Sequence, residues 1–151
     1  MGDTVTHNYE MRLMDCLKII DNSYARFAKS IHMTYMSLAV FECICEQEPC
    51  TQKSICDELH YTKQNVNTIV KSFIDQGYVE LQEMHEDRRS KQIRLTDEGK
   101  RYAFVTVERL WQAQRDASDV FSKEEFDRFV QMFETYAAQI ERNTDALIRK
   151  Q

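Results

Sequence analysis

Glycine and proline are scarce in this sequence, which has three and one of them among 151 residues. That composition argues against a turn-rich β fold and favours long helices. An apolar run of about 18 residues is also missing, so the sequence predicts no transmembrane helix. The amino-terminal residues have neither the basic nor the apolar segment of a secretory signal. We therefore expect one cytoplasmic domain over residues 1–151, without membrane association.

Motifs for cross-links, metals and catalysis are missing as well. The five cysteines are odd in number and follow no secretory signal, which favours reduced thiols. No two of the four histidines share a helical face and no Cys-x-x-Cys occurs, so we predict no metal site. Neither a glycine-rich phosphate loop nor a nucleophile motif is present. We therefore expect neither an enzyme nor a cofactor-binding protein.

The net charge of −5 is unevenly distributed. Between Thr51 and Arg101 there are nine Lys/Arg and nine Asp/Glu, so the flanking segments carry all of the negative excess. Four cations of the central region lie within seven residues, namely Arg88, Arg89, Lys91 and Arg94. Contacts to phosphates depend on such a local cluster more than on the total charge. The acidic total therefore does not exclude DNA binding.

The pattern of apolar residues predicts a mainly helical fold with a small β-hairpin. Apolar residues at steps of three and four, with threonine or serine caps, predict helices. These helices cover about 11–31, 35–46, 52–59, 63–76, 97–116 and 123–147. Alternation predicts strands at 78–83 and 92–95, joined by a basic loop. Two short helices followed by such a hairpin indicate a winged helix-turn-helix, which binds duplex DNA.

The second helix of this motif carries the side chains that base recognition requires. Gln64, Asn65 and Asn67 can bond to the edge of adenine, and lysine suits phosphate. Arginine at the hairpin tip suits a narrow minor groove. The simpler alternatives are a solvated helix face and a solvated charged loop. We predict DNA contacts from Thr51, Thr62, Lys63, Gln64, Asn65, Asn67, Thr68, Lys71, Arg88, Arg89 and Lys91, with Asp87 orienting an arginine.

Two segments resemble the MarR family of winged-helix regulators. Asp87-x-Arg89-x-x-x-Ile93-x-Leu95-Thr96-x-x-Gly99 is similar to the family's wing signature, and 62–70 is similar to its recognition helix. The resemblance implies a winged lobe at about 34–100 and dimerisation helices at about 8–31 and 100–148. It also implies a homodimer on a pseudo-palindromic operator, with Arg89 in the minor groove and Asp87 supporting it. Thr68 and His60 depart from the pattern, at positions where arginine and glycine are common.

The same resemblance implies a signal that releases DNA, which is a small phenolic or other aromatic ligand, an oxidant or a metal. Aromatic and sulfur-bearing walls suit a planar ligand, and the candidate residues are His32, Tyr35, Met36 and Trp111. Cys16 is the candidate for oxidation, although Asp15 and the missing aromatic surroundings disfavour a reactive thiolate. We expect a dimeric repressor released by a small molecule. The alternatives are a thiol-based oxidant sensor of the same fold and a winged-helix protein-interaction module.

Overall fold

A computed structural model describes residues 3–83 and 91–149 of the chain, with side chains from residue 8 onward. The described part contains seven helices and one two-stranded antiparallel sheet. In chain order they are α1 (Asp3–Ser30), α2 (Tyr35–Glu46), α3 (Gln52–Leu59), α4 (Lys63–Asp75), β1 (Val79–Glu83), β2 (Lys91–Leu95), α5 (Asp97–Val105), α6 (Val107–Ser118) and α7 (Lys123–Ile148). The predicted mainly helical fold with a small β-wing is confirmed.

The chain forms two compact units, Met1–Glu108 and Arg109–Gln151. The first unit contains α1 to α5 with the sheet, and the second contains most of α6 and all of α7. The limits proposed from the sequence for a single domain, its lobe and its dimerisation helices remain predictions. In the described residues, no helix has the length and apolar character needed to cross a membrane.

The core of the first unit surrounds α2. Phe41 has no exposed surface, and its ring lies 5.1 Å from that of Phe73 and 5.7 Å from that of Tyr102. Tyr78 and Tyr102 stack at 4.3 Å with nearly parallel rings. Fully buried aliphatic side chains come from α2, α3, α4 and β2, namely Val40, Ile44, Ile55, Val66, Val70 and Ile93. This core joins the helix-turn-helix to the sheet.

Threonine and serine caps begin the helices where the sequence predicts them. The hydroxyl oxygens of Thr34, Thr51, Thr62 and Thr96 each accept a hydrogen bond from the backbone N–H three residues later, at 2.9–3.2 Å. Ser122 and Glu125 also form a capping box at the start of α7. Each cap satisfies a backbone donor that the helix leaves unpaired and contributes about 1 kcal/mol.

The segment after α4 turns the chain into the sheet. Gly77 has φ 74°, and its N–H bonds to the Ile74 carbonyl while that of Tyr78 bonds to Phe73. This is a Schellman motif, which a residue without a Cβ closes at least cost. The strands then pair with Val79 opposite Leu95. A Cβ at Gly99 would overlap the Tyr78 carbonyl, so α5 packs closely on this turn.

Two predicted helix limits are wrong. The helix expected over about 97–116 is interrupted at Thr106, which has φ −118° and ψ −77°. The Thr106 hydroxyl donates to the Tyr102 carbonyl at 2.6 Å, and the Thr106 side chain is buried. Helix α1 begins at Asp3, before the start expected at about residue 11 from the apolar pattern and at about residue 8 from the family resemblance.

Candidate nucleic-acid interface

Helices α3 and α4 are joined by a tight turn at His60. This residue is the C-cap of α3 and adopts the left-handed conformation, with φ 52° and ψ 31°. Histidine visits that region more readily than branched residues do. The conformation reverses the chain quickly enough for Thr62 to cap α4 two residues later. The substitution of histidine at the common glycine position therefore keeps the turn.

Helix α4 divides into a buried face and an exposed face. Val66 and Val70 are fully buried, and Phe73 is 2% exposed. The other side carries the predicted DNA contacts, which we call the recognition face. Its members are Thr62, Lys63, Gln64, Asn65, Asn67, Thr68 and Lys71, and all seven are exposed. The structure thus brings the predicted residues of α4 onto one accessible surface.

Hydrogen bonds limit what three of the predicted threonines can offer to DNA. The Thr68 hydroxyl donates to the Gln64 carbonyl of its own helix at 2.9 Å, so its proton is used and its oxygen can still accept. Thr62 accepts the Asn65 N–H at 3.2 Å. Thr51 is half-buried and forms a capping box with Ser54. Thr51 therefore acts first as a cap of α3.

The described part of the wing exposes one of its predicted cations. Lys91 begins β2, opposite Glu83, and is exposed. Arg94 is half-buried, and its Nε has no hydrogen-bond partner among the described residues. The predicted contacts Arg88 and Arg89, with their support Asp87, lie outside the described residues. Their roles remain predictions from the sequence.

The α2–α3 segment is bonded to the wing. Cys50 and Ile93 form an isolated antiparallel bridge, with the Ile93 N–H 2.8 Å from the Cys50 carbonyl oxygen. The Glu48 carboxylate accepts the Leu95 N–H at 3.1 Å. Strand β2 is therefore held on one edge by β1 and on the other by the segment that leads into α3. This bracing fixes the wing strand relative to the helix-turn-helix.

A cleft of about 510 Å³ opens in the first unit. Its walls come from the α1–α2 turn, the end of α4 and the middle of α5, through Ile31, His32, Met33, Thr34, Ser37, Ser72, Phe73, Gln76, Tyr78, Tyr102 and Thr106. The Tyr102 hydroxyl donates to the Ile31 carbonyl at 3.2 Å across it. His32 is the one lining residue that the sequence predicted, because the lining combines segments about 70 residues apart.

The other predicted ligand residues lie elsewhere. Tyr35 is 42% exposed, and its hydroxyl donates to Asp21 at 3.5 Å. Partial burial, and then the Asp21 carboxylate, raise the pKa of this hydroxyl. Met36 is half-buried on α2, and neither residue lines the cleft. Trp111 lies half-buried on α6 in the second unit. A ligand site made of all four residues remains a prediction.

All five cysteines are free thiols in two kinds of surroundings. Cys43 and Cys50 are buried and Cys45 is half-buried. Burial, and then the Glu58 carboxylate, raise the pKa of Cys43 to about 12. Burial raises the pKa of Cys45 to about 12 and that of Cys50 to about 11. Cys16 differs, because it is exposed on α1. No group of three His, Cys, Asp or Glu in the described ranges is arranged to hold a metal.

The helix-turn-helix, its bonded wing and the exposed recognition face define a winged helix-turn-helix protein. A family model described as "MarR family" matches residues 33–90, which span α2 to the wing. The transcriptional regulator PapX of Escherichia coli is 33% identical over 91 residues. That match covers 56% of this chain and 54% of PapX, so it spans about half the length of this curated relative.

Solved structures match the fold over most of the chain. The MarR family regulator NMB1585 of Neisseria meningitidis has 25% identity and a TM-score of 0.73, over 89% of this chain and 94% of that one. Streptococcus pneumoniae FabT, solved in complex with DNA, has the same fold at 18% identity, with a TM-score of 0.67 over 91% and 96% of the two chains. The family model, the curated relative and the solved structures all support the MarR family of transcriptional regulators for this chain.

Proposed function

We propose that this chain is a cytoplasmic, sequence-specific DNA-binding transcriptional regulator, and that it acts as a repressor. The observation that carries the proposal is the division of α4, whose apolar face is buried while its amides, hydroxyls and lysines are exposed. A recognition helix needs this arrangement, since the core fixes its position and the polar face enters the major groove. FabT, which has the same fold, was solved with DNA bound.

The proposed regulator is a homodimer that binds a pseudo-palindromic operator. Helix α7 supports this proposal, because it has no buried residue and exposes Phe129 by 57% and Ile140 by 44%. Phe121, just before α7, continues an aromatic column formed by four α7 residues, Phe126, Phe129, Phe133 and Tyr136, and successive ring centroids in the column are 5.9–6.5 Å apart. Exposed apolar surface of this extent marks an interaction site. Two recognition helices related by a two-fold axis match two half-sites about one helical turn apart.

Helix α1 supports the same proposal independently. Met14 is 44% exposed, and Ile20 is 48% exposed. Both belong to the apolar stripe that the sequence places on this helix. Leaving such side chains in water forgoes roughly 1.5–3 kcal/mol for each one that a partner would bury. A second copy of the chain is the partner that supplies the same surface by symmetry.

A small phenolic or other aromatic effector is proposed to release the DNA. The cleft supports this proposal, because its volume and its aromatic walls, Tyr78, Tyr102 and Phe73, suit a planar ligand. Its wall also includes Ser72 and Gln76 at the end of α4. A ligand that favours a shifted position of α4 would weaken DNA binding by the same factor by which DNA weakens the ligand. Phenolic compounds should therefore dissociate the complex, and Gln76→Trp, which fills the cleft, should reduce this effect.

A salt titration of duplex binding tests DNA recognition. Duplexes enriched from a randomised library by the full-length protein are compared with scrambled duplexes of the same length. If the dimer neutralises about six to ten phosphates, affinity should fall roughly 10³- to 10⁵-fold between about 50 and 200 mM salt. The enriched duplex should remain tighter throughout. Failure to enrich any sequence, or affinity that salt does not change, would contradict the proposed function and favour a protein-interaction module.

A further inference from the structure

A side-chain hydrogen bond joins α3 to the recognition face. Gln52 Nε2 donates to Asn67 Oδ1 over 3.5 Å, at the long end of the usual range. Gln52 is the first residue of α3, whereas Asn67 lies in the second turn of α4 and is exposed. The sequence did not mark Gln52 as a site residue. Its hydrogen bond nevertheless affects which end of the Asn67 amide can face a base.

The backbone that carries Gln52 is held in place. The Ser54 N–H donates to the Thr51 hydroxyl oxygen at 3.1 Å, and the Thr51 N–H donates to the Ser54 hydroxyl oxygen at 3.0 Å. These reciprocal bonds form a capping box, which fixes the first turn of α3. Ile55 in the same turn is fully buried. Gln52 therefore projects from a rigid support, and only its own rotamer can move its amide.

The end of the Asn67 amide that faces outward determines which bases it can bind. An asparagine side chain carries an oxygen that accepts and a nitrogen that donates, and it can turn to exchange them. Because Gln52 donates to Oδ1, that oxygen is drawn towards α3 and Nδ2 is directed away from it. We propose that Gln52 is a positioning residue that makes Asn67 a hydrogen-bond donor in the major groove. This proposal rests on the proposed function.

A donor at this position selects among bases by their major-groove edges. Guanine offers the acceptors O6 and N7, thymine offers O4 and adenine offers N7, whereas cytosine offers only the N4 donor. Donor would face donor if cytosine occupied the contacted position. The protein therefore disfavours cytosine at one position in each half-site, and Gln52 is responsible for part of that discrimination.

A charge-bearing isostere at Gln52 reverses the expected preference. In Gln52→Glu the side chain keeps its length but can only accept hydrogen bonds. Asn67 must then turn Nδ2 towards α3 and present Oδ1 to the groove, where the cytosine N4 donor becomes the favourable partner. A residue that only supported the fold of α3 would not change a base preference in this direction.

The experiment uses the full-length protein and the duplex enriched from a randomised library. All four base pairs are placed in turn at each half-site position, and affinities are measured for wild type, Asn67→Ala, Gln52→Ala, Gln52→Glu and the double alanine variant. Asn67→Ala identifies the contacted position by abolishing its preference. Gln52→Ala should reduce the discrimination against cytosine there by about two- to tenfold, the effect of one hydrogen bond. The double variant should lose no more than Asn67→Ala alone.

Gln76→Glu is the matched control, because it adds the same charge to the end of α4, where Gln76 bonds to Ser72. The control should weaken binding to all duplexes equally, whereas Gln52→Glu should shift preference towards cytosine at the Asn67 position only. The proposal is overturned if Gln52→Ala leaves that preference intact, or if Gln52→Glu behaves like the control. If wild type enriches no sequence at all, the proposed function itself fails, and the two failures are thereby distinguished.

Discussion

Helices α4 and α7 are both amphipathic, but their apolar faces differ in how far they are buried within the chain. In α4 the apolar residues Val66 and Val70 are fully buried within the chain. In α7 the apolar residues Phe129 and Ile140 remain 57% and 44% exposed. A helix of similar pattern is thus packed in one unit and left open in the other. The apolar face of α4 is therefore buried by its own chain, whereas apolar residues of α7 stay exposed.

This difference separates two kinds of stability. The position of α4 depends on packing within one chain, so it does not change with protein concentration. Burial of α7 by a second copy would depend on concentration, because association follows mass action. Substitutions on the two helices should therefore differ in kind as well as in size.

The largest expected effect is at Phe73 on the buried face of α4. Phe73→Ala removes a ring that is 2% exposed and packs against Phe41 at 5.1 Å. Loss of such a ring costs about 3–5 kcal/mol of unfolding free energy. Chemical denaturation measures it, with Lys71→Ala on the exposed face of the same helix as control, expected within about 0.5 kcal/mol. Equal losses for the two variants would show that α4 is not divided as described.

The next effect is at Phe133 in the aromatic column of α7. Phe133→Glu places a carboxylate in the proposed interface and should convert the dimer to monomer at micromolar concentration, as should Leu17→Glu on α1. The loss of an aromatic anchor costs roughly 2–4 kcal/mol. Sedimentation measures the change, and Gln131→Glu adds the same charge on the polar side of α7 as control. Wild-type protein that sediments as a compact monomer would contradict the homodimer.

The sequence predicts elements whose signals are local. The limits of α3, from Gln52 to Leu59, are confirmed because Thr51 caps the helix and His60 ends it. The start of α4 at Lys63 is confirmed for the same reason, since Thr62 is its cap. A cap acts within four residues of chain, so the sequence alone contains the whole interaction.

Features that depend on packing between distant segments were missed. The helix is interrupted at Thr106, whose buried hydroxyl bonds to Tyr102, and the pattern of apolar residues does not show this interruption. Gln52 and Asn67 are 15 residues apart, and only the way α3 packs on α4 brings them together. The cleft combines the α1–α2 turn with α5. Such contacts require a three-dimensional arrangement that spacing does not specify.

A smaller effect separates base contacts from phosphate and groove contacts. Gln64→Ala should weaken binding to the cognate duplex by about 1–3 kcal/mol and leave scrambled duplexes unchanged, because amides bond to base edges. Arg89→Ala should weaken binding to all duplexes by about 1–3 kcal/mol and make affinity less dependent on salt. The reason is that an arginine in the minor groove responds to the width and charge of the groove more than to base identity. Affinities for both duplexes at several salt concentrations distinguish these outcomes.

Asn67→Ala serves as the second amide variant in that comparison. It should behave as Gln64→Ala does, and its melting temperature should match that of wild type, because the side chain is exposed. If Gln64→Ala and Asn67→Ala both bind the two duplexes as wild type does, the recognition face of α4 does not contact bases. The docking of α4 in the major groove would then have to be abandoned.

The smallest expected effect is that of thiol oxidation on DNA affinity. Here the thiols of the lobe differ from the thiol of α1. The raised pKa values of Cys43, Cys45 and Cys50, about 12, 12 and 11, keep these thiols protonated at neutral pH. Because the thiolate is the species that peroxide oxidises, they should react slowly. Because the pKa values of these thiols are higher in the folded state than the unfolded value of about 8.5, their contribution to stability is fully present below that pH. That contribution is lost as the pH rises towards 11 to 12.

Peroxide at neutral pH should therefore change the affinity for the enriched duplex by less than about twofold. Cys16 is exposed on α1, and its neighbour Asp15 forms an ion pair with Lys18 at 3.1 Å. That pairing draws the nearby cation to a carboxylate, so it is not committed to stabilising a thiolate. Duplex affinity before and after peroxide is compared between wild type and Cys16→Ser. If peroxide abolishes duplex binding by wild type but not by Cys16→Ser, the oxidant-sensing alternative is established. The sensor would then be the exposed thiol of α1 rather than the thiols of the lobe.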